Sequence, residues 1–421
     1  MKNIIMSYFL IFLIFMTGSC IKKKDTLSLN IIPVATTVGN YNVLNISNFA
    51  KEIKYVPLET NNSVLLTDNI EIVYENEKTL IIDHSKFAMS SQIYLFDKMG
   101  QYSCKIGQFG QGPNDYLTSH RVSIFEDIIY IMDRNKLLIY NTEGTLMENI
   151  KLQMNVDYIN QGYHRVIPLN KDFFIMTAYS MTGSCPKAFL LEKNQVDLNV
   201  IKEYTNYEPF KKAIPVLNGN ESGIIYRYKD KVRIYKIYND TIFTISQNKE
   251  ISDGFIFELG KYRPTLSYLT IEEGGTDPFE WMRYGNKFIF PKTIIESNNY
   301  LFIGFDFGNH APEPFEFKSR FSSAISINTS VYGIYNKMSG VLTLMNQPIK
   351  GKLGFKNDID GGPVIWPNYI SSDNELVSLI QPEEFMDYYD NIKQPSDVLK
   401  EIANKILLDD NPIVIIVKLK D

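Results

Sequence analysis

Cysteine, histidine and tryptophan are scarce in this chain of 421 residues, which has three, four and two of them. Beyond Cys20 only Cys104 and Cys185 remain, too few to staple a chain of this size, so a small disulfide-dense scaffold is excluded. His84, His120, His164 and His310 fall in no H-x-H or H-E-x-x-H spacing, so no zinc-enzyme signature is present. No G-x-S-x-G elbow occurs, which removes support for a serine hydrolase built on one. Basic blocks are missing except Lys22-Lys23-Lys24, and the formal charge is −5. Without a dense positive footprint the composition argues against a nucleic-acid partner. Long apolar runs are missing as well: Ile4 to Met16 is about 13 residues, where a span needs roughly 20.

The N-terminal pattern is that of an export signal. Lys2 forms a short positive region, Ile4 to Met16 an apolar one, and Thr17-Gly18-Ser19 supply small residues before Cys20. A cysteine directly after small residues resembles a bacterial lipobox, although Thr17 stands where that family usually carries Leu. The resemblance implies a lipidated Cys20. The expected division is a lipoprotein signal peptide over 1–19, a flexible tether over 20–42 and one folded domain over 43–421. The expected location is the cell envelope, on a lipid anchor in the outer membrane.

Aromatics are plentiful, with 27 Tyr and 26 Phe, and aromatic and β-branched enrichment favours strands. Short β-like runs recur between turn residues. Asn69 to Gly107 reads as a four-strand meander with turns near Glu75-Asn76 and Lys98-Met99-Gly100. Arg121 to Leu152 repeats the plan, with turns at Glu126-Asp127, Arg134-Asn135 and Glu143-Gly144. Looser copies follow over Val166–Tyr204, Gly223–Leu259, Thr293–Leu344 and Leu353–Leu419. A repeat of this period predicts an all-β fold, a six-bladed β-propeller of four-stranded antiparallel blades. Glu52–Glu59 and Asn411–Lys420 are both strand-like and lie outside the clear repeats, so they are expected to pair and close the ring. One helix is expected, Ser396 to Leu408, from its apolar face at 3.6-residue spacing and the capping pair Ser396-Asp397.

Three stretches carry a wider resemblance: YVPLET (Tyr55–Thr60), KIGQFGQGPNDY (Lys105–Tyr116) and GFKNDIDGGPVIWP (Gly354–Pro367). Together they resemble the six-bladed β-propeller lipoproteins of Bacteroides and relatives, over nearly all of residues 43 to 420. The glycine loop of that family usually ends Gly-Pro-Gly-Glu-Tyr, where this chain has Asn114 and Asp115. The resemblance implies the fold and brings no chemistry with it.

The glycine-rich stretch raises the question of a phosphate cradle. Gly107-x-x-Gly110-x-Gly112 lacks the G-x-G-x-x-G order, Pro113 follows, and a strand pattern comes next where a dinucleotide site needs a helix. No Gly-Lys-Ser/Thr occurs there either. The stretch is expected to be a crossover between blades, with Asp115, Tyr116 and His120 as ligand candidates near the channel mouth. In NDIDGG, the oxygens of Asn357, Asp358 and Asp360 before two glycines form a weak Ca²⁺ candidate, against the alternative of an Asx-stabilised turn. No other cofactor is expected. Trp366, before Pro367, is either a sugar-stacking platform or a packing residue. Glu272 to Gly285 mixes acids, a cation and rings, and Asp277, Glu280, Trp281, Arg283 and Tyr284 are candidates for a binding loop.

These readings favour a lipid-anchored, exported module that binds a glycan, a peptide or an envelope protein through its loop-rich face. A carbohydrate-active lyase or hydrolase at the channel mouth is a second reading, and a passive scaffold in an outer-membrane assembly a third.

Overall fold

The computed structural model describes residues 30–84, 90–117, 122–153, 165–178, 180–183, 185–206, 209–214, 223–275, 277–318 and 325–420. It is an all-β, propeller-like fold with little helix. A first meander runs Ile70–Glu75, Lys78–His84, Ser91–Phe96 and Tyr102–Lys105, in that spatial order. The second (Val122–Phe125 to Leu146–Gln153) and third (Arg165–Pro168 to Asp197–Tyr204) each repeat the plan. They share one eight-stranded sheet, because their outer strands pair in parallel from Lys151↔Asp197 to Gln153↔Asn199. The fourth meander (Ile224–Tyr228 to Ile251–Phe257) and the fifth (Phe290–Glu296 to Leu342–Met345) are separate sheets. The closing sheet has the order Tyr369–Ile370, Glu375–Ile380, Ile413–Leu419, Ala50–Pro57.

The expectation of six separate four-stranded sheets is therefore met in part: among the described residues four sheets of four or five strands stand apart, a fifth is continuous over eight strands, and a two-stranded hairpin is a sixth. The pairing expected between the chain's two strand-like ends is present. Ile413–Leu419 lies antiparallel to Ala50–Pro57, in register from Ile413↔Pro57 to Leu419↔Ala50. Its neighbour on the other side is Glu375–Ile380. With a partner on each edge and a sheet packed on each face, this strand needs an uninterrupted apolar run, and Ile413, Val414, Ile415 and Val417 are all buried. Full burial of one such side chain contributes about 1.5–3 kcal/mol.

Turns between first and second strands follow from the sequence. Asn76-Glu77 (φ 49° and 59°) and Glu126-Asp127 (φ 51° and 59°) are left-handed at both central residues, the backbone that matches the twist of paired strands. Apolar clusters fill the space between neighbouring meanders in a cycle. Ile82, Leu95, Ile131 and Leu138 pack the first against the second, and the succession ends with Val56, Val377 and Val414 against Ile72 and Ile81. The innermost first strands likewise neighbour one another in a closed succession.

Residues 30–42, expected as tether, instead lie on the sheets. Asn30–Ile32 adds in parallel to the outer edge of the fourth meander and Tyr41–Asn42 to that of the fifth. Both edges are thereby covered, which removes an exposed pairing template. The expected helix is shorter than predicted, Asp397–Ala403 with the Ser396 hydroxyl as its cap. Helices Pro382–Asn391 and Pro278–Gly285, which the sequence reading did not foresee, accompany it.

Two carboxylates, one buried and one half-buried, join neighbouring sheets. Glu296 of the fifth meander takes a bidentate bond from Arg233 of the fourth (3.0 Å to each oxygen), with Lys337 at 2.9 Å and the Tyr226 hydroxyl at 3.0 Å. Its side chain is wholly buried. Replacing it by Ala leaves two cations short of their counter-charge, so Glu296→Ala is expected to cost about 3–5 kcal/mol in urea unfolding. Glu75 of the first meander accepts from the Ser372 hydroxyl (2.7 Å) and from Tyr369 (3.3 Å) of the closing sheet. Burial pushes its carboxyl above the usual range, opposed by those hydrogen bonds. A raised carboxyl pKa favours the folded state at acidic pH, and that contribution is lost as pH rises through the folded value. The stability of Glu75→Gln relative to the natural chain is therefore expected to increase from acidic to neutral pH, read as the difference in urea midpoints.

Candidate functional site

Strand direction alternates within each meander, so the connections between second and third strands and the crossovers between meanders all lie at one end. The other end carries tight turns such as Asn76-Glu77, Glu126-Asp127 and Lys229-Asp230. Helices Pro278–Gly285, Pro382–Asn391 and Asp397–Ala403 and the hairpin Phe315–Lys318/Ile325–Asn328 all belong to the first kind of connection. One face is therefore built of loops and insertions.

The glycine loop is a corner in that face. Gly107 is left-handed (φ +61°), and a Cβ there would lie 2.6 Å from the Tyr140 hydroxyl. The Asp115 carboxylate turns inward: its Oδ2 accepts from the Gly112 amide at 2.9 Å, and a Cβ on Gly110 would meet the same oxygen at 2.3 Å. Lys136 of the second meander donates to the carbonyls of Gly112 (3.3 Å), Pro113 (2.9 Å) and Asp115. Asn149 adds a bond to Pro113 O at 2.8 Å. An anion cradle needs free amides pointing at a ligand. Here carbonyls converge on an ammonium, the opposite polarity. Tyr116 is fully buried between the first and second meanders, so its candidacy as a ligand residue is withdrawn: its ring is spent on the core. His120 and Cys20 lie outside the described residues.

The second candidate segment forms a helix. Asp277 is its cap, accepting from the amides of Phe279 (2.9 Å) and Glu280 (3.0 Å). Trp281 stacks on Tyr268 (4.9 Å between centroids, 13° between planes), and its indole N–H donates to Tyr268 O at 2.9 Å. Tyr284 donates to Glu273 at 2.7 Å, which with a bond from Thr265 holds that carboxyl below its usual range. Lys287 lies over the Tyr284 ring at 3.7 Å. Asp277, Trp281 and Tyr284 thus fasten the helix to its base and leave Glu280 and Arg283 exposed to solvent.

In NDIDGG each candidate side chain accepts from a protein donor. Asp358 accepts from the Ser47 amide (3.0 Å) and hydroxyl (2.6 Å). Asp360 accepts from Tyr55 (3.1 Å), Asn357 (2.7 Å) and the Gly362 amide (2.8 Å). Asn357 is itself buried. Asx bonding ties this loop to the strand that closes the ring. Trp366 stacks on Tyr332 at 4.0 Å and 14°, and on Phe355 at 5.8 Å and 26°. It packs the fifth meander against the closing sheet, so its role as an open platform is withdrawn.

Sequence reasoning missed the polar groups at the loop-face ends of the second strands. Asp83 accepts from the Thr67 hydroxyl at 2.5 Å, and burial raises its carboxyl pKa against that bond. His84 is bonded through Nδ1 to the Ser91 hydroxyl at 2.9 Å, while its Nε2 lies 3.3 Å from Glu71. Histidine and serine here are both buried, which stiffens the strand ends and keeps the hydroxyl from solvent. Glu71 is the exposed member. Asp306 accepts from Thr329 (2.7 Å) and the Gly308 amide (3.1 Å). The available signal was positional: Asp133 and Asp306 each end an apolar second strand, and Asp83 stands one residue before the end of another.

A ring-like all-β scaffold with one elaborated face defines the class as propeller-like. Residues 29–418 match the family described as a domain of unknown function, DUF4934, and the chain belongs to that family. The chain is similar to the solved structure of an exported protein from Bacteroides fragilis (20% identity, 93% of this chain and 100% of that one, TM-score 0.67). It is also similar to a member of the DUF4221 family from Bacteroides vulgatus (12% identity, 88% and 97%, TM-score 0.49). No curated protein matches the sequence. Among the described residues no three His, Cys, Asp or Glu side chains group as metal ligands do, and no helix is long and apolar enough to cross a membrane.

The geometry makes Lys136 the clamp of the glycine corner. Lys136→Met is expected to cost about 0.5–1.5 kcal/mol, the range for a net hydrogen-bond contribution, because its acceptor carbonyls are partly exposed. Limited proteolysis is expected to cut first within residues 108–115.

Proposed function

We propose that the chain is an exported, lipid-anchored binding module, a six-bladed propeller whose loop-rich face receives a glycan, a peptide or an envelope protein. Counting the eight-stranded sheet as two blades joined at their outer edges gives six, and the cyclic succession of inner strands supports that count. Support for export comes from the signal-like N-terminus and from the similar Bacteroides fragilis protein, which is described as exported. Cys20 is the lipid attachment point in this reading, and the outer membrane its destination.

The observation that carries the binding reading is the asymmetry of the two faces. Tight turns close one end, while the helices, the hairpin and the glycine corner crowd the other. Glu71, Glu280, Arg283, Lys287 and Asp358 are among the exposed charged groups of this face. Trp281, Trp366 and Asp115 hold the face in shape. Ligands of this kind recognise a rigid surface with a few convergent polar groups.

The test is a glycan and peptide array probed with the soluble chain from residue 21, followed by Glu71→Gln and Arg283→Ala on any hit. At least one of these substitutions is expected to weaken binding about tenfold or more without moving the thermal midpoint. Asp127→Asn, on the opposite face, is expected to leave binding unchanged. Equal loss from Asp127→Asn, or binding indifferent to both loop-face substitutions, would overturn the placement.

A further inference from the structure

Two apolar elements project from the loop-rich face next to the place where the chain's N-terminal segment joins the domain. Phe279 and Met282, three residues apart on one helix and therefore on the same side of it, are 74% and 61% exposed. Ile325 and Ile327 share one side of the hairpin and are 69% and 66% exposed. The two elements are linked at their bases. The Asn309 amide donates to Asn286 O at 2.8 Å, and His310 Nε2 lies 3.1 Å from Lys287 O. A Cβ on Gly308 would meet Asn286 O at 2.3 Å, so the two backbones are in direct contact.

The N-terminal segment lies on the same two sheets. Asn30–Ile32 pairs with the outer strand of the fourth meander, whose crossover carries the helix. Ile32 and Val34 pack with Tyr262 and Ile289, the pair joined at 3.0 Å where the insertion leaves and returns. Tyr41–Asn42 pairs with the outer strand of the fifth meander, which carries the hairpin between its second and third strands.

We infer that this apolar pair of elements docks on the bilayer that holds the lipid on Cys20, so that the protein meets the membrane at two points. The inference rests on the lipid-anchor reading above. Residues 20–29 reach at most about 35 Å when fully extended. A domain of this length has a radius of gyration of about 21 Å and so measures roughly 55 Å across. The anchor therefore holds the fourth and fifth meanders nearest the membrane, and helix and hairpin each present a pair of exposed apolar side chains on their loop-rich side, as Met338 and Val341 do on the opposite side. Side chains of this kind enter the interfacial region of a bilayer, and a second point of attachment adds to the hold of a lipid anchor.

The test uses the full lipidated chain in vesicles of phosphatidylethanolamine and phosphatidylglycerol, with Cys104→Ser and Cys185→Ser as background. A bimane probe is placed at Met282→Cys, Ile325→Cys or Met338→Cys. Met338 is exposed in a turn on the opposite face. Lipid-chain quenchers are expected to quench the first two probes several-fold more than the third. Equal quenching at all three sites, in a chain that floats with the vesicles, would overturn the inference and leave the anchor standing. Flotation unaffected by Cys20→Ser would instead remove the anchor reading itself, and the docking with it. Concentration-dependent shielding of the Met282 and Ile325 probes without vesicles would assign the surface to a second copy of the chain and also overturn it.

Discussion

The pairing of Ile413–Leu419 with Ala50–Pro57 is the constraint on which the rest depends. A row of antiparallel sheets joined only through sequential connections leaves its first and last members facing solvent. Here the closing sheet takes three strands from late in the chain and its outer strand from early in it. Its two faces then become the walls of two apolar clusters, one against the fifth meander and one against the first. Asp360, bonded to Tyr55, ties a late crossover to the same early strand. Every insertion on the loop face is held by a sheet whose position this closure determines.

Burial of charge follows the same geometry. Glu296 and Glu75 sit where neighbouring sheets meet, each supplied with donors from the adjoining sheet. A buried ion pair adds little net stability over an apolar pair of the same shape, but a missing partner is costly. Such groups discriminate between correct and shifted packing of neighbouring sheets. At the loop face, by contrast, Glu71, Glu280 and Arg283 remain in water.

Much of the scaffold was legible in the sequence because it depends on local patterns. Asn69–Gly107 and Arg121–Leu152 show apolar runs of strand length separated by turns, and the strands fall where those patterns put them. The pairing of the two ends was legible from two apolar strand-like stretches without partners in the repeats. The parallel addition of Asn30–Ile32 was not, because a parallel edge pairing needs no turn and leaves no signal of its own. Helix 397–403 stops at Asn404, although the apolar spacing continues to Leu407, which is exposed. Periodicity described the face of that helix but not the point at which its packing surface ran out.

The candidate site was less legible, for a physical reason visible in Asp115, Trp281 and Trp366. Each side chain type suits a ligand, and each is engaged within the protein, by the Gly112 amide, by Tyr268 and by Tyr332. Sequence reports which chemical groups are available but not which direction they face. The aspartates at or next to the ends of the second strands recur, yet their partners come from separate segments such as Thr67 and Thr329.

The closing strand also governs the order of assembly. Ala50–Pro57 emerges before any of the meanders, yet its partner strand emerges only after all of them. Until then Glu375–Ile380 presents a bare edge, and the apolar sides of the two end sheets have nothing to pack on. Contacts so distant along the chain form slowly, and an open chain with unpaired strand edges is prone to aggregate. The nascent protein thus has a vulnerable interval that ends only when its two ends meet.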